Sequence, residues 1–288
     1  MDSNLVRRIG FAVVAIPLAL GVVWYGGFPL SLLLAAAGAL GTRELFGLAA
    51  RQGVNAARGF GFVTAAVLPP VTYATMVEPQ VRALIIPGWP YLVALWLVAL
   101  LCWALLARTP AEKPLEAVAV TMLGVAYTSA LPVFLLVIRH AQYPERSWAA
   151  AWLVFFPLVV TWICDTAAMF GGRVLGGPKL APAISPGKTR SGAVMGVVGG
   201  VLVAPIFASA VFPQVGLLIR FWHVVVIAAV LSVIGQAGDL VESLFKREAG
   251  VKDSSHLIPG HGGVLDRFDS LYFVIPVAAA MYRVMGIN

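Results

Sequence analysis

Charge is scarce in this chain. Asp, Glu, Lys and Arg make up 11% of its 288 residues and 60% are apolar, whereas a soluble globular domain carries roughly 25% charged residues. So few charges cannot cover a soluble surface, so the chain must face lipid. Cysteine and histidine are also few, two and four. Cys102 and Cys164 both lie inside apolar runs and read as buried packing residues, not as disulfide or metal partners. His256 and His261 have no companions at zinc spacing, which argues against a zinc site. No Ser-His-Asp set offers a believable geometry. The run ending Gly187-Lys188-Thr189 is no Walker loop, because Pro182 stands where the first glycine is needed. GGRVLGG (171–177) lacks dinucleotide spacing and follows no strand.

Long apolar runs are what the chain has in abundance. A hydrocarbon core of about 30 Å needs around 20 apolar residues per helix. On that ruler there are nine spans, near 9–25, 28–48, 59–77, 83–107, 115–138, 149–170, 191–213, 221–245 and 264–285. The expected fold is therefore all-α, a polytopic membrane protein of about nine transmembrane helices. Arg7 and Arg8 precede a run that is followed at once by another, which favours a first span over a cleavable targeting peptide. Pro69 and Pro70 make the third span the weakest. Gly192, Gly196 and Gly200 form a small-xxx-small series suited to helix packing. Spans one to five (1–140) read as an N-terminal region, and spans six to nine (141–288) as a catalytic one.

The net charge of +7 does not point to nucleic acid, because the basic residues sit in short clusters between apolar runs. They set orientation instead. With a cytoplasmic N-terminus, 15 of the 20 Lys and Arg fall inside and 5 outside, as the positive-inside rule requires.

Aspartate is distributed unevenly. Apart from Asp2, every one lies in two segments, Asp165 in 164–192 and Asp239, Asp253, Asp266 and Asp269 in 238–270. Both segments fall at the cytoplasmic boundary, and ionisable groups at membrane depth are functional candidates. Asp239, Glu242 and Ser243 are spaced i, i+3, i+4 and share one helix face. Asp266 and Asp269 are spaced i, i+3 near the start of the ninth helix, and Asp165 ends the sixth. Carboxylates so gathered repel unless cations hold them, and oxygen-only ligands favour hard cations such as Mg²⁺. The plainer alternative is that Asp266 and Asp269 complement a helix N-terminus. Lys246, Arg247, Lys252 and Arg267 surround the second cluster, while Arg173, Lys179, Lys188 and Arg190 decorate the first loop. Some serve orientation alone and the rest suit phosphates. Gly260, Gly262 and Gly263 bracket His261 before a helix start, which fits an anion-binding turn or a plain tight one.

These residues resemble the phosphatidate cytidylyltransferase family motif. The matching elements are Ser243, Lys246-Arg247, Lys252-Asp253, Ser255, Pro259, His261-Gly262-Gly263, Asp266-Arg267 and Asp269. The earlier stretch is similar too, through Asp165-Thr166, Gly172-Arg173, Lys179-Leu180, Ser185-Pro186 and Lys188-Thr189. Arg190-Ser191 departs from the family, which has an aromatic or aliphatic residue and then Glu. The resemblance implies a multi-pass enzyme of the bacterial inner membrane, commonly a homodimer, with CTP, phosphatidate and membrane lipid as partners. It implies a divalent metal, Asp239 and Asp266 being the leading ligands with Asp165 and Asp269 behind them. One or two Mg²⁺ ions fit, with a monovalent cation as a further option. Lys246 and Ser243 then join Asp239 and Asp266 as catalytic residues. Arg247, Lys252, Arg267, His261, Gly262, Gly263, Lys188, Arg173 and Lys179 bind substrate. Two rival readings are a CTP-dependent polyprenol kinase, which attacks the γ-phosphorus, and an ion-coupled transporter. The transporter would spread polar residues across the bilayer, whereas here they bunch at one surface.

Overall fold

The computed structural model describes residues 3–140, 142–143, 146–258, 260 and 262–287, with side chains from residue 13 onward. The chain is almost entirely helical. In order it forms α1 (Ser3–Tyr25), α2 (Gly27–Ala50), α3 (Arg58–Val77), α4 (Pro79–Ala107), α5 (Pro114–Val125), α6 (Phe134–His140) and α7 (Trp148–Leu175). A short hairpin, β1 (Lys179–Ala181) and β2 (Ser185–Thr189), precedes α8 (Arg190–Ile206), α9 (Phe221–Glu248), α10 (Leu265–Phe268) and α11 (Leu271–Val284). Among the described residues seven helices are long and apolar enough to cross a membrane, and the chain is a multi-pass membrane protein.

Each predicted span meets helix, but the first and ninth differ in length. The described apolar part of α1 is Val13–Tyr25. The ninth range is divided into α10 and the 14-residue α11. At 1.5 Å per residue α11 extends about 21 Å, short of a hydrocarbon core of about 30 Å. Asp266 lies in α10 and Asp269 in the turn that follows, so their i, i+3 spacing is not that of one continuous helix.

The chain forms two compact units, Met1–Leu136 with Ala249–Asp266, and Val137–Glu248 with Arg267–Asn288. Residues 249–266 are grouped with the N-terminal helices. Long-range contacts define a unit, and hydropathy carries no record of them.

In the first unit α2 is the central helix, packed against α1, α3 and α5. α3 runs unbroken through Pro69 and Pro70. A proline removes the amide that would serve the carbonyl four residues earlier. For Pro69 that carbonyl is Ala65, and Ser129 Oγ donates to it at 2.8 Å. Ser129 sits in a π-helical turn, Ala126–Ala130, whose neighbour Thr128 reaches Gly38 O (3.0 Å) and shares a 2.6 Å hydrogen bond with Thr42. α4 buries only Leu100 and Ala104 and shows the rest of its apolar surface outward. Cys102 is therefore exposed, contrary to the burial expected from its apolar surroundings, because in lipid an apolar residue need not be interior.

In the second unit α7 and α8 are the most closely packed pair. Gly192 and Gly196 face α7, where a Cβ would meet Ala168 O and Cys164 O, and at Gly200 a Cβ would meet Ser232 of α9 first and then Val160 of α7, so the glycine series does serve packing. Cys164 is buried there. Pro157 in α7 leaves the Leu153 carbonyl without its helical donor, and Tyr282 Oη on α11 supplies one at 2.9 Å. Tyr282 is 1% exposed. Tyr282→Phe is expected to destabilise the protein by about 1–3 kcal/mol, the cost of a buried unsatisfied carbonyl. Thermal unfolding in detergent measures it, and an unchanged midpoint would mean that α7 bends enough to satisfy Leu153 by other means.

Candidate functional site

The second unit collects carboxylates from three elements. α7 contributes Asp165, α9 contributes Asp239, and the turn before α11 contributes Asp269. The turn can lie against α9 because Gly238 has no side chain: a Cβ there would stand 2.7 Å from Asp269 O. Gly235, one turn earlier, does the same for Val274 and Ser270. The carboxylates of Asp239 and Asp269 both repel that of Asp165, and Lys188 acts in the opposite sense.

Lys188 is brought in by β2. The hairpin pairs Lys179 with Thr189 and Ala181 with Ser185, a local structure absent from the helical reading of the sequence. Thr189 then caps α8 by accepting from Gly192 N at 3.1 Å, as Ser/Thr N-caps do. This fixes the neighbouring Lys188, whose Nζ lies 2.6 Å from Asp239 Oδ2. Asp239 Oδ1 accepts from Ser243 Oγ at 3.3 Å, the i, i+4 relation expected on one helix face. One turn further on, Lys246 forms an ion pair with Glu242 at 2.5 Å. Glu242 is fully buried and Lys246 is 8% exposed, so this lysine, read as a phosphate ligand, is held by its own helix. Arg247 donates from Nε to Ile184 O at 3.1 Å and ties α9 to the hairpin. Arg173, Lys179 and Arg267 are exposed.

The first unit contains a second acidic centre, in the loop 249–266. Asp266 is buried, and its Oδ2 accepts from Ser254 N (2.9 Å), Ser254 Oγ (2.7 Å) and Gly263 N (2.8 Å). Beside it lies Glu44 of α2, a glutamate outside the two acidic segments. Glu44 accepts from Ser255 Oγ (2.7 Å) and Val264 N (3.0 Å) on Oε1 and from Leu265 N (2.8 Å) on Oε2, where it also shares the single hydroxyl proton of Ser254 (3.0 Å) with Asp266. Gly262, with φ +81°, has Asp266 Oδ2 where a Cβ would go, and Gly263 has Ser254 and Glu44 there. The turn read as an anion cradle does hold anions, and these are the chain's own carboxylates. Lys252 is exposed on the same loop. His261 and Pro259 lie outside the described residues. A signal for Glu44 exists in the sequence, since it is an ionisable residue inside an apolar span.

Among the described residues no three His, Cys, Asp or Glu side chains form a ready metal cage. The groups around Asp239 nonetheless offer oxygen only, the carboxylates of Asp165 and Asp269 and the hydroxyl of Ser243, with Lys188 and, at Asp269, Lys246 and Arg267 as the cations that act on them. That is a hard-ligand set. Mg²⁺ commonly uses only one or two carboxylates and completes its shell with water and phosphate oxygens. The residues therefore fit an open Mg²⁺ site better than a closed one.

The cytidylyltransferase family model matches residues 6–285. Curated relatives include the phosphatidate cytidylyltransferase of Staphylococcus saprophyticus, 47% identical over 135 residues, which are 47% of this chain and 50% of the relative. The protein of the same name from Brucella suis is 49% identical over 133 residues, 45% of each chain. That of Staphylococcus epidermidis is 45% identical over 135 residues, 47% of this chain and 50% of the relative. The chain thus spans about half the length of the curated relatives it matches.

Proposed function

The chain belongs to the cytidylyltransferase family, and from that premise we propose that it transfers the cytidylyl group of CTP to phosphatidate, giving CDP-diacylglycerol and pyrophosphate. The observation that carries the reading is the Asp239 group, three carboxylates with Lys188 Nζ at 2.6 Å from one of them, on a membrane protein. It suits a reaction between two anions, where charge must be neutralised before they meet. The names of the relatives supply the substrates.

In the proposed reaction a phosphate oxygen of phosphatidate attacks the α-phosphorus of CTP in line. A bond forms from that oxygen to phosphorus, the bond to the bridging oxygen breaks, and pyrophosphate leaves with the electron pair. The nucleophile is already an anion, so no strong general base is needed. Positioning and charge neutralisation carry the catalysis, as in other phosphoryl transfers. Asp239, with Asp165 and Asp269 beside it, would hold Mg²⁺, and Asp266 is the further ligand by family resemblance. When bound, Mg²⁺ supplies positive charge to the triphosphate and to the leaving group. Lys188 adds an ammonium, Ser243 fixes one oxygen of Asp239, and the exposed Arg173, Lys179, Lys252 and Arg267 can meet phosphates from water. The enzyme is further read as a homodimer of the bacterial inner membrane with its N-terminus cytoplasmic. Lipid then enters sideways from the inner leaflet and nucleotide from the cytoplasm.

The test uses purified protein in detergent with CTP labelled in the cytidine, phosphatidate and Mg²⁺. Lipid-linked CMP and stoichiometric pyrophosphate are expected, and both are expected to disappear with EDTA and return with added Mg²⁺. No product with phosphatidate, but CDP release with a polyprenol, would move the protein to the CTP-dependent kinases.

A further inference from the structure

We propose that Glu44 is a positioning residue for the reaction, a clasp on α2 that holds the loop 249–266 in its working shape. The inference rests on the reaction proposed above. Three donors converge on this one carboxylate, the Ser255 hydroxyl and two consecutive backbone amides, all between 2.7 and 3.0 Å, and the Ser254 hydroxyl, whose single proton it shares with Asp266, lies 3.0 Å away. The residues joined are more than 200 apart in sequence, with a separation of 210 between Glu44 and Ser254. Glu44 is 7% exposed, so these bonds are shielded from water and charge-assisted.

The loop is the stretch that carries Lys252, Ser255 and Asp266 of the family motif, and its described residues form little regular structure of their own. Among its described residues only the bridge from Ile258 N to Gly262 O, at 2.8 Å, resembles a strand pair. Glu44 supplies what the loop lacks. Ser254 is shared between Glu44 and Asp266, so the clasp also orients the aspartate. Gly263 belongs to the same device, since any side chain there would occupy the place of the Glu44 carboxylate. The Glu44 carboxylate is buried and taken up by the loop's own donors, so its action is through the loop.

Glu44→Gln tests this with the smallest change of shape. A serine hydroxyl can turn to accept from the new NH₂, but a backbone N–H cannot. Whichever way the amide points, one of Val264 N and Leu265 N faces a donor. A misplacement of about 1 Å at a reacting group costs about 10²-fold in rate, so kcat is expected to fall by about that factor. KM for CTP is expected to change by no more than about threefold, the pattern of an interaction that matters in the transition state. Hydrogen exchange in amides 249–266 is expected to accelerate at least tenfold, while that of α7 and α9 stays as in wild type.

Should Glu44→Gln not fold, Ser255→Ala removes a single donor and is expected to show the same two effects at a few-fold size. A kcat within about threefold of wild type would overturn the proposal, as would unchanged exchange in the loop. A uniform rise in exchange over the whole protein would reduce Glu44 to general stability and equally overturn it. Exchange reads the clasp without any assay. If the wild type makes no CDP-diacylglycerol, the reaction fails while the clasp is still measured.

Discussion

Asp239→Asn is expected to lower the rate of CDP-diacylglycerol formation by on the order of 10³-fold, the scale of removing one preorganised electrostatic group from a reacting centre. The substitution keeps the shape of the side chain and an acceptor for Ser243 Oγ, which now bonds Oδ1 at 3.3 Å. It removes the charge that pairs with Lys188 and that would face Mg²⁺. Stability is expected to change little. The Lys188–Asp239 pair is 28–29% exposed on each side, and exposed ion pairs contribute about 1 kcal/mol or less. The loss in rate can therefore be separated from unfolding by comparing kcat with the thermal midpoint of the same preparation. Asp266→Asn is the companion variant, with a comparable loss expected. It leaves an oxygen for Ser254 and Gly263 and removes only the charge. Activity within about tenfold of wild type in either variant would remove that residue from the essential set.

Lys246→Met is expected to destabilise the protein by about 3–5 kcal/mol, the cost of removing one partner of a buried ion pair. Methionine keeps most of the lysine stem and its packing, so the effect isolates the ammonium. Glu242, at 0% exposure, would keep a charge in an apolar interior without the cation 2.5 Å away. A fall of roughly 10 °C in the unfolding midpoint is the corresponding shift for a chain of this size. The double variant Glu242→Gln with Lys246→Met is expected to regain most of the loss, because no buried charge remains. If Lys246→Met unfolds at the wild-type midpoint but loses activity, the pair is dispensable and Lys246 acts on phosphate, as its place in the family motif first suggests.

The face formed by Asp239, Glu242, Ser243 and Lys246 was legible because helical spacing is local. Offsets of three and four residues on α9 put Ser243 on Asp239 and Lys246 on Glu242 whatever the rest of the chain does. The packing role of Gly192, Gly196 and Gly200 was legible for the same reason. The pair Asp266 and Asp269 was misread because helix was extended through both, and the chain instead turns between α10 and α11. Cys102 was misread because apolar surroundings in sequence do not distinguish a lipid-facing residue from a buried one. Gly262 and Gly263 could be read as an anion-binding turn or as a plain tight one, and the carboxylate they meet depended on Glu44, which is distant in sequence.

From the sequence alone came the membrane environment, the helical spans, the two acidic segments and the family. These follow from composition, from periodicity, and from motif residues that keep their order and spacing along the chain. Tertiary structure decided which charges meet. It put Lys188 on Asp239, folded a hairpin to carry it, and placed Glu44 under a loop that comes two hundred residues later. A carboxylate selects partners by distance and dielectric, and both are set by packing between elements that sequence leaves far apart.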